Sequence, residues 1–390
     1  MRNDEGAATT SAELRAHNLA RLLRAVHDGG GQRTRAELTR QLGLARGTAT
    51  VLVRELVGRQ LITELAPAEP PSVQRTRGRP TGIPSANSEG PVALAADVRD
   101  DSFTTAVFEL TGRCTVLETQ ERGTRDGRQL IAQVGRSLNK YRRALDGRVV
   151  GTGVAVPSPV SAGRMVQPTL EDWKDVDVAR TLHARVGNDA TLAGLGEARR
   201  GVLRDIPVAM HLHAAIGIGG VLLTGGQPAS GALGSAGEFG HMPLAGGDAP
   251  CRCGAVGCWE LYAGARGLLR EAGLTGEQGD RMAMAARVIE SEPRVLARVA
   301  GALGRGIGAL VNGHDPAAVS LSGLAAAVLT AAPEQVGTAY IAALMRFRRA
   351  SPPALLPSAL GDLGPLTGAA ELVFDNFLTA KGLAGWPPNW

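Results

Sequence analysis

The chain has 390 residues, 44% of them apolar, which is enough for two or three domains with a large buried core and excludes a disordered or fibrous protein. Met1 to Thr10 hold no apolar run of the kind that directs secretion, and no uninterrupted apolar stretch reaches the length of a membrane span. A cytoplasmic protein without membrane association is therefore expected. The net charge is +5 and resides entirely in residues 1–85, where 13 Arg and no Lys face 8 acidic residues. That asymmetry suits a polyanion such as double-stranded DNA, although a solvated basic face would show the same balance.

Taken in chain order, Leu14, Leu19, Leu22, Leu23 and Val26 repeat at helical spacing, and Gly29-Gly30-Gly31 ends the helix they predict. Thr34-Arg35-Ala36-Glu37 has the form of a capping box and opens a short helix through Leu42. Gly43 makes a turn, a third helix runs from about Ala45 to Arg59, and Leu61 to Glu64 starts a wing. Helix, short helix, glycine turn and helix is the layout that carries a recognition helix into a major groove. Arg46, Thr48, Thr50 and Arg54 lie on that third helix, where arginine pairs with guanine and threonine meets phosphates or thymine methyls. A plain three-helix bundle is the alternative reading. Pro67 to Pro84 reads as a wing tip and linker; its Arg77-Gly78-Arg79-Pro80 resembles the core of an AT-hook, suited to a narrow minor groove, or is simply a basic linker.

Val92 to Val98, Phe103 to Leu110 and Cys114 to Leu117 predict a β-meander, followed by a helix over Gly127 to Leu145 and a strand over Val149 to Val156. Strands giving way to alternating helices indicate a mixed α/β body. Asn188-Asp189 stands at a strand-to-helix corner, where an amide and a carboxylate can grip neighbouring hydroxyls or cap the helix. Ala215 to Val221 is glycine-rich and fits either a phosphate loop or a tight hairpin. Cys114 stands alone, whereas His241, Cys251, Cys253 and Cys258 fall within 18 residues. In an intracellular chain, this cluster matches a closed Cys₃His tetrahedral site for one structural Zn²⁺.

Gly237-Glu238-Phe239-Gly240-His241, followed by Cys251-Arg252-Cys253-Gly254-Ala255-Val256-Gly257-Cys258-Trp259-Glu260, resembles the signature of the ROK family, the repressors, open reading frames and sugar kinases. Gly43 to Thr50 is similar to the helix-turn-helix pattern of ROK regulators, and Ala359 to Ala370 to the family's closing helix. The resemblance implies a winged helix-turn-helix over residues 1–66, a wing and linker over 67–90, and a two-lobed actin-like, sugar-kinase-like domain over 91–390. It also implies that Asn188, Asp189, Glu238, His241 and Glu260 contact a sugar. His241 would then bind zinc through one ring nitrogen and a hydroxyl through the other.

Family kinases carry Asp-x-Gly-Gly-Thr at the first strand turn. Here the stretch is Asp97-Val98-Arg99-Asp100-Asp101, without the glycines that admit phosphates, and the adenosine-side run is Ser320-Leu321-Ser322-Gly323-Leu324. Asp189 keeps the position of the kinase base, but a base without a phosphate cradle transfers nothing, so no enzyme activity is expected. The resulting expectation is a dimeric or tetrameric DNA-binding regulator of carbohydrate-related genes, answering to a sugar or sugar phosphate. A sugar kinase with an appended DNA-binding domain is the alternative, and a regulator with a vestigial sugar site that answers to a protein is another.

Overall fold

The computed structural model describes residues 10–65, 82–99, 102–123, 126–161, 163–165, 176–244, 247–275 and 280–386. The first unit consists of α1 (Ser11–Asp28), α2 (Arg35–Gln41), α3 (Arg46–Gly58) and a wing of antiparallel β1 (Ile62–Leu65) and β2 (Ile83–Ala86). Both α1 and α2 open on complete capping boxes, Thr10 with Glu13 and Thr34 with Glu37. In each, a threonine oxygen takes one orphan amide and a glutamate takes another. The second wing strand occupies 83–86, so the segment expected as wing and linker ends in a strand and a short turn leading directly into the first lobe.

The first lobe contains β3 (Val92–Val98), β4 (Ser102–Glu109), β5 (Cys114–Glu121), α4 (Gly127–Ala144), β6 (Val149–Val156), the short hairpin β7 (Val160–Ser161) and β8 (Arg164–Met165), α5 (Val178–Leu182) and β9 (Arg185–Asn188). Then α6 (Asp189–Arg200) leads to the second lobe. That lobe contains β10 (Val208–Ala214), β11 (Ile218–Thr224), β12 (Gln227–Pro228), α7 (Gly264–Glu271), α8 (Arg281–Ser291), α9 (Pro293–His314), β13 (Ala318–Gly323), α10 (Leu324–Ala331), α11 (Pro333–Ala343) and β14 (Ala354–Pro357). The chain closes with α12 (Gly364–Phe377) and α13 (Ala380–Ala384).

The two large sheets share one topology, β5-β4-β3-β6-β9 and β12-β11-β10-β13-β14: an antiparallel meander extended by two parallel strands. Every residue of β3 is buried, as in a strand covered on both faces. Leu94, Ala96 and Val98 pack with Leu130, Ile131 and Val134 of α4, while Ala93 and Ala95 join the core that includes α12. In the second lobe, Met210, Leu212, Val319 and Leu321 face the helices α7 to α11. By length and composition α9 could cross a membrane, but 67% of its most apolar window is buried inside this lobe.

Of the glycine-rich run over 215–221, residues 215–217 form the tight turn of the β10–β11 hairpin and the rest begins β11. The reader is also more than tethered. Leu19, Leu22, Leu23, Val26, Leu52, Leu56 and Leu61 belong to the same continuous core as Phe108 of β4 and Phe374 and Phe377 of α12. Trp386, after α13, donates its indole N–H to the Arg59 carbonyl at 3.0 Å, and Arg59 returns a bond to the Trp386 carbonyl at 2.8 Å.

Candidate functional site

At the cleft end of α6, Asn188 is the N-cap, its oxygen accepting from Thr191 N at 3.0 Å. Its amide nitrogen donates to Asp189 Oδ1 at 2.9 Å, and Ala190 N donates to the same oxygen at 2.7 Å. The capping and gripping readings of this pair are therefore compatible: the amide caps the helix and at the same time fixes the carboxylate.

Glu238 and His241 flank a single 3₁₀ turn, Phe239–His241. Gly240 lies in it because a Cβ there would stand 2.3 Å from the Ile218 carbonyl oxygen; the turn lies directly on the backbone of β11. Burial pushes the Glu238 carboxyl up to about 7, and the nearby Asp189 and Glu260 charges add to the shift. His241 Nε2 is 3.8 Å from Glu238 Oε2, while Nδ1 is 3.7 Å from Cys251 Sγ and 4.0 Å from Glu260 Oε1. One ring edge faces the carboxylate side and the other the thiols. Glu260 is buried, 3.6 Å from Arg266 NH1, on a 3₁₀ turn anchored by Trp259, whose indole N–H bonds the Ala302 carbonyl at 2.9 Å.

The ligand atoms of His241, Cys251, Cys253 and Cys258 lie within 4.8 Å of one another. A tetrahedral ion with metal–sulfur bonds of 2.3 Å would set its sulfurs about 3.8 Å apart. Cys253 Sγ and Cys258 Sγ stand 3.6 Å apart and His241 Nδ1 3.7 Å from Cys251 Sγ, so the donor set could hold one metal ion. Gly257, at φ 75°, takes the left-handed turn that returns the chain to Cys258.

The Asp97 to Arg99 stretch, compared above with the phosphate turn of family kinases, is paired internally and with Asp362. Arg99 Nε donates to Asp97 Oδ2 at 2.8 Å, and its NH2 donates to the Asp362 carbonyl at 3.2 Å, with Asp362 Oδ1 at 3.8 Å. Burial raises the Asp97 carboxyl against the pull of Arg99. Asp100 and Asp101 lie outside the described residues. On β13, Ser320 and Ser322 bond His211 at 2.7 and 3.0 Å, and Ser322 also bonds His213 at 2.8 Å. Burial lowers His211 to about 3, so this imidazole is neutral and stitches β10 to β13.

On the reader, Arg46, Thr48 and Arg54 are exposed on α3. Thr50 is half-buried, and its hydroxyl donates to the Arg46 carbonyl at 2.9 Å. Val51, which sequence reasoning passed over, is 49% exposed on the same helix. An apolar residue facing solvent among arginines is visible only once the buried face of α3, formed by Ala49, Leu52, Val53 and Leu56, is known. Arg77 and Arg79 lie outside the described residues.

With both halves in view, the comparisons decide the lineage: the ROK family model matches residues 94–376. The chain belongs to the ROK family. Over 373 residues it is 23% identical to the xylose repressor of Bacillus subtilis, a match covering 88% of this chain and 92% of that one. The crystal structure of a ROK family transcriptional regulator, a homologue of the Escherichia coli Mlc protein, superposes with a TM-score of 0.72 at 20% identity over 95% of this chain and all of that one. A ROK glucokinase from Streptomyces griseus, solved with glucose and AMPPNP, gives 0.61 at 22% identity, covering 72% of this chain and 98% of the kinase. The kinase-like match thus covers less of this ROK chain than the regulator match does.

Proposed function

We propose that this ROK protein is a sugar-responsive transcriptional repressor, acting in the cytoplasm on carbohydrate-related genes and without kinase activity. The reading is supported by a winged helix joined to a ROK body that carries Asn188, Asp189, Glu238, His241 and Glu260, while Arg99, paired with Asp97 and Asp362, stands where family kinases carry a glycine. Asn188, Asp189, Glu238, His241 and Glu260 supply carboxylates, an amide and an imidazole to vicinal hydroxyls, the donor and acceptor mix that discriminates sugars. Arg99 offers phosphate no free positive charge, because Asp97 and Asp362 already engage it. Side chains in place of the glycines obstruct the close approach through which backbone amides reach a nucleotide's phosphates.

Cys251, Cys253, Cys258 and His241 hold one structural zinc ion, which contributes folding energy and fixes the imidazole edge that faces the sugar. Arg46, Thr48, Thr50 and Arg54 contact DNA from α3, with Val51 available to a thymine methyl. Arg77 and Arg79 enter the adjacent minor groove. A homodimer or tetramer presents two readers to paired half-sites, and sugar binding between the lobes changes their relative placement.

A gel shift on DNA upstream of the protein's own gene, titrated with D-xylose, D-glucose and their phosphates, tests the reading. Glu238→Ala is expected to weaken sugar binding by about tenfold or more and to abolish the sugar effect on DNA, leaving sugar-free DNA binding intact. Equal collapse of basal DNA binding in a folded variant would remove Glu238 from sensing. ATP-dependent phosphorylation of a hexose at about one turnover per second or faster would restore the kinase alternative.

A further inference from the structure

Two helices form the seam between the lobes. On one side, α6 packs against β10 and β11 of the second lobe; on the other, α12 packs against β3 and β6 of the first. They meet closely, since a Cβ on Gly368 of α12 would stand 1.8 Å from the Leu192 carbonyl of α6. At one end of α6 are Asn188 and Asp189. At the other, about 18 Å away by helical rise, Arg199 and Arg200 reach the DNA-reading unit.

They reach it through two three-way contacts of the same composition, each with one residue from α1, one from α12 and one from α6. In the buried contact, His27 Nε2 lies 3.1 Å from Glu371 Oε2 and 2.5 Å from Arg200 NH2, while Arg200 Nε donates to Glu371 Oε1 at 2.7 Å. Arg200 NH1 also donates to the His27 carbonyl at 2.8 Å. In the outer contact, Asp375 takes Arg24 at 2.7 Å and Arg199 at 3.4 Å.

The chemistry of the buried contact is restrictive. His27 is fully buried, and its Nδ1 faces the Leu110 carbonyl at 2.7 Å, so the proton sits on Nδ1. Nε2 is then left between a donor, Arg200, and an acceptor, Glu371. With the ring's proton on Nδ1, Nε2 accepts from the guanidinium, and Arg200 Nε holds Glu371 beside it. Separating Arg200 from Glu371 inside the protein would strand buried charge at a cost of several kcal/mol. Arg200 also holds the His27 carbonyl, so a displacement of this end of α6 would be carried to His27, and with it α1.

We propose that His27, Glu371 and Arg200 form the relay through which sugar-driven movement between the lobes reaches the DNA reader, with His27 as the positioning residue that senses the offset between α6 and α12. The relay rests on the sugar-sensing reading above and gives it a route that does not pass through the linker. A contact shared by α1, α6 and α12 lets the position of α6 bias that of α1, which is what energetic coupling between distant sites requires.

The test uses the full-length protein, with D-xylose and D-glucose as probes. Sugar binding is read by calorimetry without DNA, and operator affinity by fluorescence anisotropy with and without saturating sugar. In the wild type, sugar is expected to shift the DNA Kd by about tenfold or more. Glu371→Gln is expected to bind sugar and sugar-free DNA within about threefold of wild type, while its sugar-induced shift falls below about threefold. A variant that keeps the full shift overturns the relay alone. A wild type that binds neither sugar, or binds one without any DNA shift, overturns the sensing reading, and the relay falls with it. Should Glu371→Gln fail to fold, hydrogen exchange on the wild type decides. Saturating sugar must change protection in residues 22–31, 196–204 and 366–377 together; a DNA shift with residues 22–31 unchanged refutes the relay.

Discussion

Trp386→Ala tests whether the DNA reader is an integral part of the first lobe or a passenger on a linker. The indole is 5% exposed, stands edge-on to Phe377 with ring centroids 5.9 Å apart, and donates to the Arg59 carbonyl. Truncating such a side chain costs about 3–5 kcal/mol in transfer and cavity terms, and loss of the indole bond adds about 1 kcal/mol. Globular proteins unfold with about 2.1 cal/mol/K per residue, or about 0.8 kcal/mol/K for a chain of this length. A loss of about 5 kcal/mol then lowers Tm by about 6 °C, and by more if the unfolding unit is only the reader and first lobe. Differential scanning calorimetry measures the shift, and limited proteolysis should show earlier cleavage between reader and lobe. A transition that moves by less than about 1 °C, or a reader that already melts separately in the wild type, would refute the continuous core inferred for this interface.

Cys253→Ser should abolish bound zinc by elemental analysis and lower Tm, and chelation of the wild type should do the same, because the metal supplies folding energy. Arg46→Ala and Arg54→Ala should each weaken operator binding and flatten the slope of log affinity against log salt by about one; an unchanged slope would remove that residue from the phosphate-contacting set. Glu371 yields a pH dependence. Burial pushes its carboxyl up, but His27 and Arg200 outweigh burial and hold it far below the ordinary range. A depressed carboxylate contributes stability above its unfolded pKa, near 4.5, and loses that contribution as pH falls. The Tm gap between wild type and Glu371→Gln should be full at neutral pH and narrow below about pH 4.5, and a gap that widened on acidification would contradict this assignment.

The features legible in the sequence are those set by short-range spacing. The Thr34 to Glu37 capping box, the 3.6-residue repeat of α1 and the full strand over Val149–Val156 depend on neighbours within a turn or a pleat, and the fold keeps them. The His241 to Cys258 cluster is equally local, since its ligands meet around one short loop. The Glu238-Phe239-Gly240-His241 motif could be recognised in the sequence, but the reason for its glycine emerged only from the contact with the Ile218 carbonyl.

The remaining decisions belong to tertiary structure. Nothing near His27 in the chain announces its role; its repeat reads as the end of an amphipathic helix, and its partners Arg200 and Glu371 are 173 and 344 positions away. Arg99 reads as a lost glycine until Asp362, 263 positions on, is placed against it. Periodicity and ligand spacing are local properties of the chain, so pattern showed a basic helix-turn-helix layout and a Cys/His cluster, while the kinase-type scaffold followed from the resemblance to the ROK family. Which helices lie along the seam, and which charges they bury against the reader, depends on packing two lobes and a winged helix into contact, and only the tertiary structure decides that.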